Sequence, residues 1–220
     1  MLISLNNHNC SMNIFYLHEN PKVCAQMACD KHVVKMTCET AQLLSTAHPP
    51  ALAPYKHTHV NHPCALWARQ SIENYQWLLR YGINLGIEFT FRFGKTHKSA
   101  IAIKKIAQIG TSHIKFKSSG FEAPPKVVPD SIKNITVPNN GKQCPVVYAY
   151  RKHYILNCEF AEWNQTRPAP AWWPKDQLSK PIKQKEANQY KRTEARRRGK
   201  LEAEAANLSM RDFNQAQFNI

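Results

Sequence analysis

Proline and glycine cut the apolar pattern of this chain into short helical segments, and that punctuation limits the fold more than any other feature of the sequence. Asn20 followed by Pro21 reads as a helix start: the asparagine side chain accepts from the first amides, and proline there forfeits no hydrogen bond. The helical pattern continues to about Ala47, with a bend near Asp30, and Pro49, Pro50 and Pro54 end it. A second helix is predicted from Pro63 to about Tyr81. Its residues Cys64, Trp67, Ala68, Ser71, Tyr75, Leu78 and Leu79 fall on one stripe, and Gly82 closes it as a C-terminal glycine. A third segment covers Asn84 to Phe93, ahead of Gly94; a fourth covers Thr96 to about Ile109. Residues 110–144 are rich in Pro, Gly and Ser and read as a long ordered loop with room for short strands. A last core helix follows from Val146 to Trp163, and Arg167 to Pro174 lies extended over the body.

The expected fold is therefore mainly α, a compact single-domain helical bundle with one long Pro/Gly-rich loop. Residues 12–174 form the domain. Residues 1–11 read as a disordered or non-native extension, and residues 175–220 as a basic, mobile or solvent-exposed helical tail.

Charge bounds the partner. Thirty Lys and Arg against fifteen Asp and Glu give +15, a surplus that repels itself unless a polyanion is near. Residues 183–200 carry a net +6 and residues 201–220 a net −2, so the remaining body still carries +11. Nucleic acid is the usual polyanion for such a balance. No run of about 18 apolar residues exists, which predicts no membrane span. Seven scattered Cys, an odd number, suit reduced core thiols and a cytoplasmic setting rather than a disulfide framework.

Four stretches hold candidate chemistry. Asp30, Lys31, His32 and Lys35 crowd a carboxylate, an imidazole and two ammonium groups into two helical turns. Lys31 and Lys35 share a face, where an anion between them would relieve repulsion. His57, His59 and His62 could ligate a metal, but no Cys or carboxylate adjoins them, so no metal and no cofactor are expected. Arg92-Phe93-Gly94-Lys95-Thr96-His97-Lys98-Ser99 lacks the first glycine and the spacing of a nucleotide-hydrolysing phosphate loop. It still sets a glycine turn, Lys, His and Ser at a helix start, a good contact for a backbone phosphate, and Lys104 and Lys105 extend its basic face. Finally Arg151 and Lys152 interleave with Tyr148, Tyr150 and Tyr154, and Trp172 and Trp173 follow, a mixture suited to stacking and phosphate contact.

With these residues assembled, the chain resembles a group of phage-encoded proteins. The likeness lies in Met12 to Phe15, Cys29 to Met36, His62-Pro63 to Trp67, Gly94-Lys95 with His97-Lys98-Ser99, Tyr150-Arg151-Lys152 with Tyr154, and Trp172-Trp173. In layout it is more distantly similar to the phage pyrimidine-dimer DNA glycosylases of the endonuclease V type, through Met27-Ala28 leading to Lys31 and Lys35 and through Arg167-Pro168 leading to Trp172-Trp173. That resemblance implies a helical protein with a basic DNA-binding face. It departs where the family's catalytic glutamate would fall, at about His32, and at the N-terminal amine nucleophile, since Leu2 or Asn13 would retain the methionine before it.

These readings combine into a DNA-binding protein of phage base-excision, glycosylase-like type, acting on damaged or modified bases and expected to be a monomer. Asp30 and His32 are its candidate catalytic residues. Lys31, Lys35, His62, Arg92, Lys95, His97, Lys98, Arg151, Lys152, Trp172 and Trp173 are its candidate nucleic-acid contacts. Duplex DNA is favoured over RNA. The alternatives are a transferase building hypermodified pyrimidines in phage DNA and a non-enzymatic DNA-binding protein.

Overall fold

The computed structural model describes residues 12–137, 143–158, 160–163 and 167–174. Among them are seven helices and no strand: α1 (Pro21–Met27), α2 (Asp30–Ser45), α3 (Pro63–Ala68), α4 (Ile72–Phe93), α5 (Lys98–Ile109), α6 (Asp130–Lys133) and α7 (Pro145–Asn157). The fold is mainly α, as the punctuation predicts.

Each start has a local cause. Asn20 accepts from Lys22 N and Val23 N to open α1, and His62 accepts from Cys64 N to open α3. Ser71 opens α4 by accepting from Asn74 N at 3.1 Å. His97 opens α5 by accepting from Ser99 N at 3.0 Å. Gly94, at φ 67°, closes α4 in the left-handed conformation that glycine adopts without strain.

Four boundaries differ from the expectation. The first helix is broken rather than bent, because Ala28 and Cys29 are both extended, with ψ 138° and 162°. The helix from Pro63 stops at Ala68, and the chain restarts at the Ser71 cap. Its predicted stripe is nevertheless buried throughout, from Cys64 to Leu79. Most tellingly, Gly82 ends nothing: α4 runs through it and through Gly86 for 22 residues. Both glycines serve close approach instead. A Cβ on Gly82 would stand 2.7 Å from Thr40 Cγ2 and 2.9 Å from Ile103 Cδ1, and one on Gly86 would stand 2.7 Å from Ala100 Cβ. They let α2 and α5 seat against α4, the central helix, which also packs on α1 and α3.

The last helix ends at Asn157, short of the expected Trp163. The turn beyond it is used elsewhere: Glu162 O accepts the Asp30 amide at 2.9 Å, tying this segment to the start of α2. In the 110–144 stretch the described residues hold one short helix, α6, and one isolated bridge between Ser71 and Ser118. Met12 to Leu17 is not a helix but an irregular entry, with Met12, Ile14, Phe15, Tyr16 and Leu17 all buried. The expected tail at 175–220 and the extension at 1–11 lie outside the described residues.

Candidate nucleic-acid interface

Between Glu88 and Glu122 the chain has no carboxylate, yet it has Arg92, Lys95, Lys98, Lys104, Lys105, Lys115 and Lys117. Arg92 turns inward. The six lysines are all exposed, and among the described residues none is ion-paired. Their arrangement follows from α5. Its buried side (Ser99, Ala100, Ile103, Ile106) packs on α2 and α4, so three- and four-residue spacing puts Lys98, Lys104 and Lys105 outside. Lys95 precedes the helix on the Gly94 turn. Lys115 and Lys117 follow it, where the amides of Lys117 and Ser118 both bond to Gln70 O at 2.9 Å. His97, half-buried, meets Phe89 edge-on at 4.7 Å while capping α5.

A second group gathers where α7 meets the start of α2. Lys31 is exposed, with Nζ 4.9 Å above the Phe160 ring. Lys35 pairs with Glu39 Oε1 at 3.2 Å on the same helix. Arg151 donates from Nε to Leu17 O at 3.0 Å and lies 5.5 Å from the Trp172 ring. Lys152 lies 5.8 Å from the Tyr148 ring. Trp172 is half-buried, with Nε1 3.5 Å from Met27 Sδ. Trp173 is buried beside Trp163, so of the pair only Trp172 is partly exposed. Among the predicted contacts His62, like His97, also caps a helix, here α3.

The remaining candidates are interior. Arg92, 2% exposed, donates from Nε to Glu88 Oε1 at 2.8 Å, from Nη1 to Asp30 Oδ1 at 2.9 Å and to Ala28 O at 2.8 Å, and from Nη2 to Gln26 O at 3.0 Å. It staples the α1–α2 break to α4 and presents nothing outward. Asp30 is therefore half of an ion pair whose other half is fully enclosed. His32, 4% exposed, lies flat on Phe15 with ring centroids 4.1 Å apart and hydrogen-bonds Tyr154 through Nδ1 at 2.5 Å. Burial, then the nearby Lys35 and His153, push its pKa from 6.5 down to about 3, so the ring is neutral at pH 7. Asp30 and His32 are sequence neighbours with separate settings: one in the charged network, the other in an aromatic stack.

Sequence reasoning missed a chain of polar groups from distant segments. Tyr75 OH lies 2.6 Å from His48 Nε2, and His48 Nδ1 lies 2.9 Å from His113 Nε2. His48 is 2% exposed, and burial, then His113 and His57, push its pKa down to about 4. A proline-rich loop start and a residue beyond α5 offer no shared spacing that could reveal this contact. Among the described residues, no group of three or more His, Cys, Asp or Glu is arranged to hold a metal ion, and no helix is long and apolar enough to cross a membrane. The described cysteines Cys24, Cys29, Cys38, Cys64, Cys144 and Cys158 are free thiols.

No protein-family model, curated protein or solved structure matches the chain.

Proposed function

We propose that the protein binds nucleic acid, DNA first, through the basic face that α5 carries. One observation supports this above the rest: six exposed lysines follow one another along a stretch without a single carboxylate. A surface that only needed solvation would interleave acids with these cations, because like charges in a row oppose folding. A row of phosphates reverses the sign of that cost and releases counterions as it binds.

Mobility of a labelled duplex against protein concentration tests the reading. Tight binding at about 50 mM salt, weakening steeply by about 200 mM, is the expected result. Lys98→Glu with Lys104→Glu should weaken it about tenfold or more, with the helical signal unchanged. No binding at low salt would overturn the reading.

Base excision is the narrower form of the proposal, with Asp30 and His32 as reacting groups near Lys31 and Arg151. The ring cluster of Phe15, His32, Tyr154 and Phe160 favours it as a place that receives a base, but a flipped base reaches His32 only if Phe160 and its turn move away. Release of a base from damaged or phage-modified DNA by the wild type, lost in His32→Ala, is the outcome that this form requires.

A further inference from the structure

We infer that the occupant of the α5 face is the paired backbone of about one turn of duplex, held without regard to base sequence. The inference rests on the proposed nucleic-acid binding and specifies its ligand. Length comes first. The basic row begins at Lys95, next to Gly94 at the C-terminal end of α4, and ends at Lys117, whose amide bonds to Gln70 just before the N-terminal end of α4. It thus runs back along α4, whose 22 residues rise about 33 Å at roughly 1.5 Å each. One turn of B-form duplex, about 10 base pairs, rises roughly 34 Å.

Chemistry comes second. The side chains that the row exposes are lysines with Ile101, Gln108 and small hydroxyl residues between them. Lysine is a point charge on a flexible stem, suited to a phosphate and poor at the forked geometry by which arginine reads guanine. The one arginine of this stretch, Arg92, is spent inside. The rings of the stretch are engaged with the body rather than offered to bases: His97 against Phe89, and Phe116 against Tyr75 at 6.0 Å. Single strands are held largely by stacking on exposed rings; between Lys95 and Lys117 no ring is exposed, and Phe121 beyond them, exposed in part, meets Trp67 and Trp77. At its lower end the face is bounded by two carboxylates, Glu73, which accepts from Gly120 N, and Glu122, which accepts from Gln70 Nε2.

Fluorescence anisotropy of the full chain decides the matter. The probes are duplexes of 6, 10, 14 and 20 base pairs in three unrelated sequences, with the matching single strands. Affinity should rise up to about 10 base pairs and then gain only in proportion to the number of positions, differ less than about threefold between sequences, and exceed that of single strands. Lys104→Gln with Lys105→Gln should lower the slope of log affinity against log salt by about 2, one per lost phosphate contact. Binding with a strong sequence preference, with single strands favoured, or with an unchanged salt slope in that variant overturns this inference and leaves nucleic-acid binding standing. No binding of any probe overturns both.

Discussion

Arg167 lays its guanidinium along the carboxylate of Glu88, with Nε 2.9 Å from Oε1 and Nη2 2.9 Å from Oε2. Glu88 also accepts from Arg92, and Arg92 reaches Asp30, so among the described residues two anions and two cations are linked in one chain. This chain fastens the 167–174 segment to α4 and α4 to the break before α2. A buried charge network of this kind costs desolvation to assemble, and removing one member leaves an uncompensated charge inside.

Glu88→Ala should therefore destabilise the protein by about 3–5 kcal/mol. Arg167, less enclosed than its partner, should cost less on truncation to Ala. Urea unfolding followed by circular dichroism measures both. A loss below about 1 kcal/mol for Glu88→Ala would show that the network contributes little.

Asp30→Asn should lower the melting temperature, in contrast to the expectation for a group whose role is chemical alone. The variant keeps the shape but leaves Arg92 with Glu88 as its remaining carboxylate. Lys31→Ala, on the surface one residue along, should leave the melt within about 0.5 kcal/mol of wild type. A calorimetric scan in which both variants melt like the wild type would contradict the ion pair's structural role.

Gly82→Ala and Gly86→Ala should each destabilise by about 1–3 kcal/mol, although alanine is the better helix former. The added methyl meets Thr40 and Ile103 in the first case and Ala100 in the second, at distances that packed side chains do not tolerate. Thermal melts that rise in either variant would mean that the helices part without cost.

Acid should unfold the protein partly through its histidines. His32 and His48 have folded-state pKa values of about 3 and about 4, below the ordinary 6.5, because burial disfavours their charged forms. A depressed histidine contributes stability that is complete above pH 6.5 and is lost as pH falls from there toward the folded value. Denaturant midpoints should fall between pH 6.5 and 4, and His48→Gln should flatten that fall. Equal slopes for wild type and variant would remove His48 from the account.

Much of this was legible in the sequence where one segment suffices to decide. The Asn20-Pro21 start and the α5 face depend on residues within a few positions of each other, and spacing alone places them. Gly82 misled because glycine signals either a left-handed end or a tight crossing, and the Thr40 methyl that decides between them is remote in sequence. The crowding around Asp30 was visible, but its reason was not: Arg92, 62 positions away, takes up the carboxylate. Tyr154, 122 positions from His32, likewise takes up the imidazole's Nδ1.

The irregular entry at Met12 to Leu17 has a consequence for how the protein is made. Asn13 lies 137 positions from Tyr150, whose hydroxyl donates to its side chain at 2.8 Å, and Leu17 O waits for Arg151. At ribosomal speed the partner helix emerges on the order of ten seconds after the entry does. Throughout that interval Phe15 lacks the Tyr150 and Tyr154 rings that complete its packing, while His32 and Trp77, made sooner, already offer Phe15 and Tyr16 a partner each.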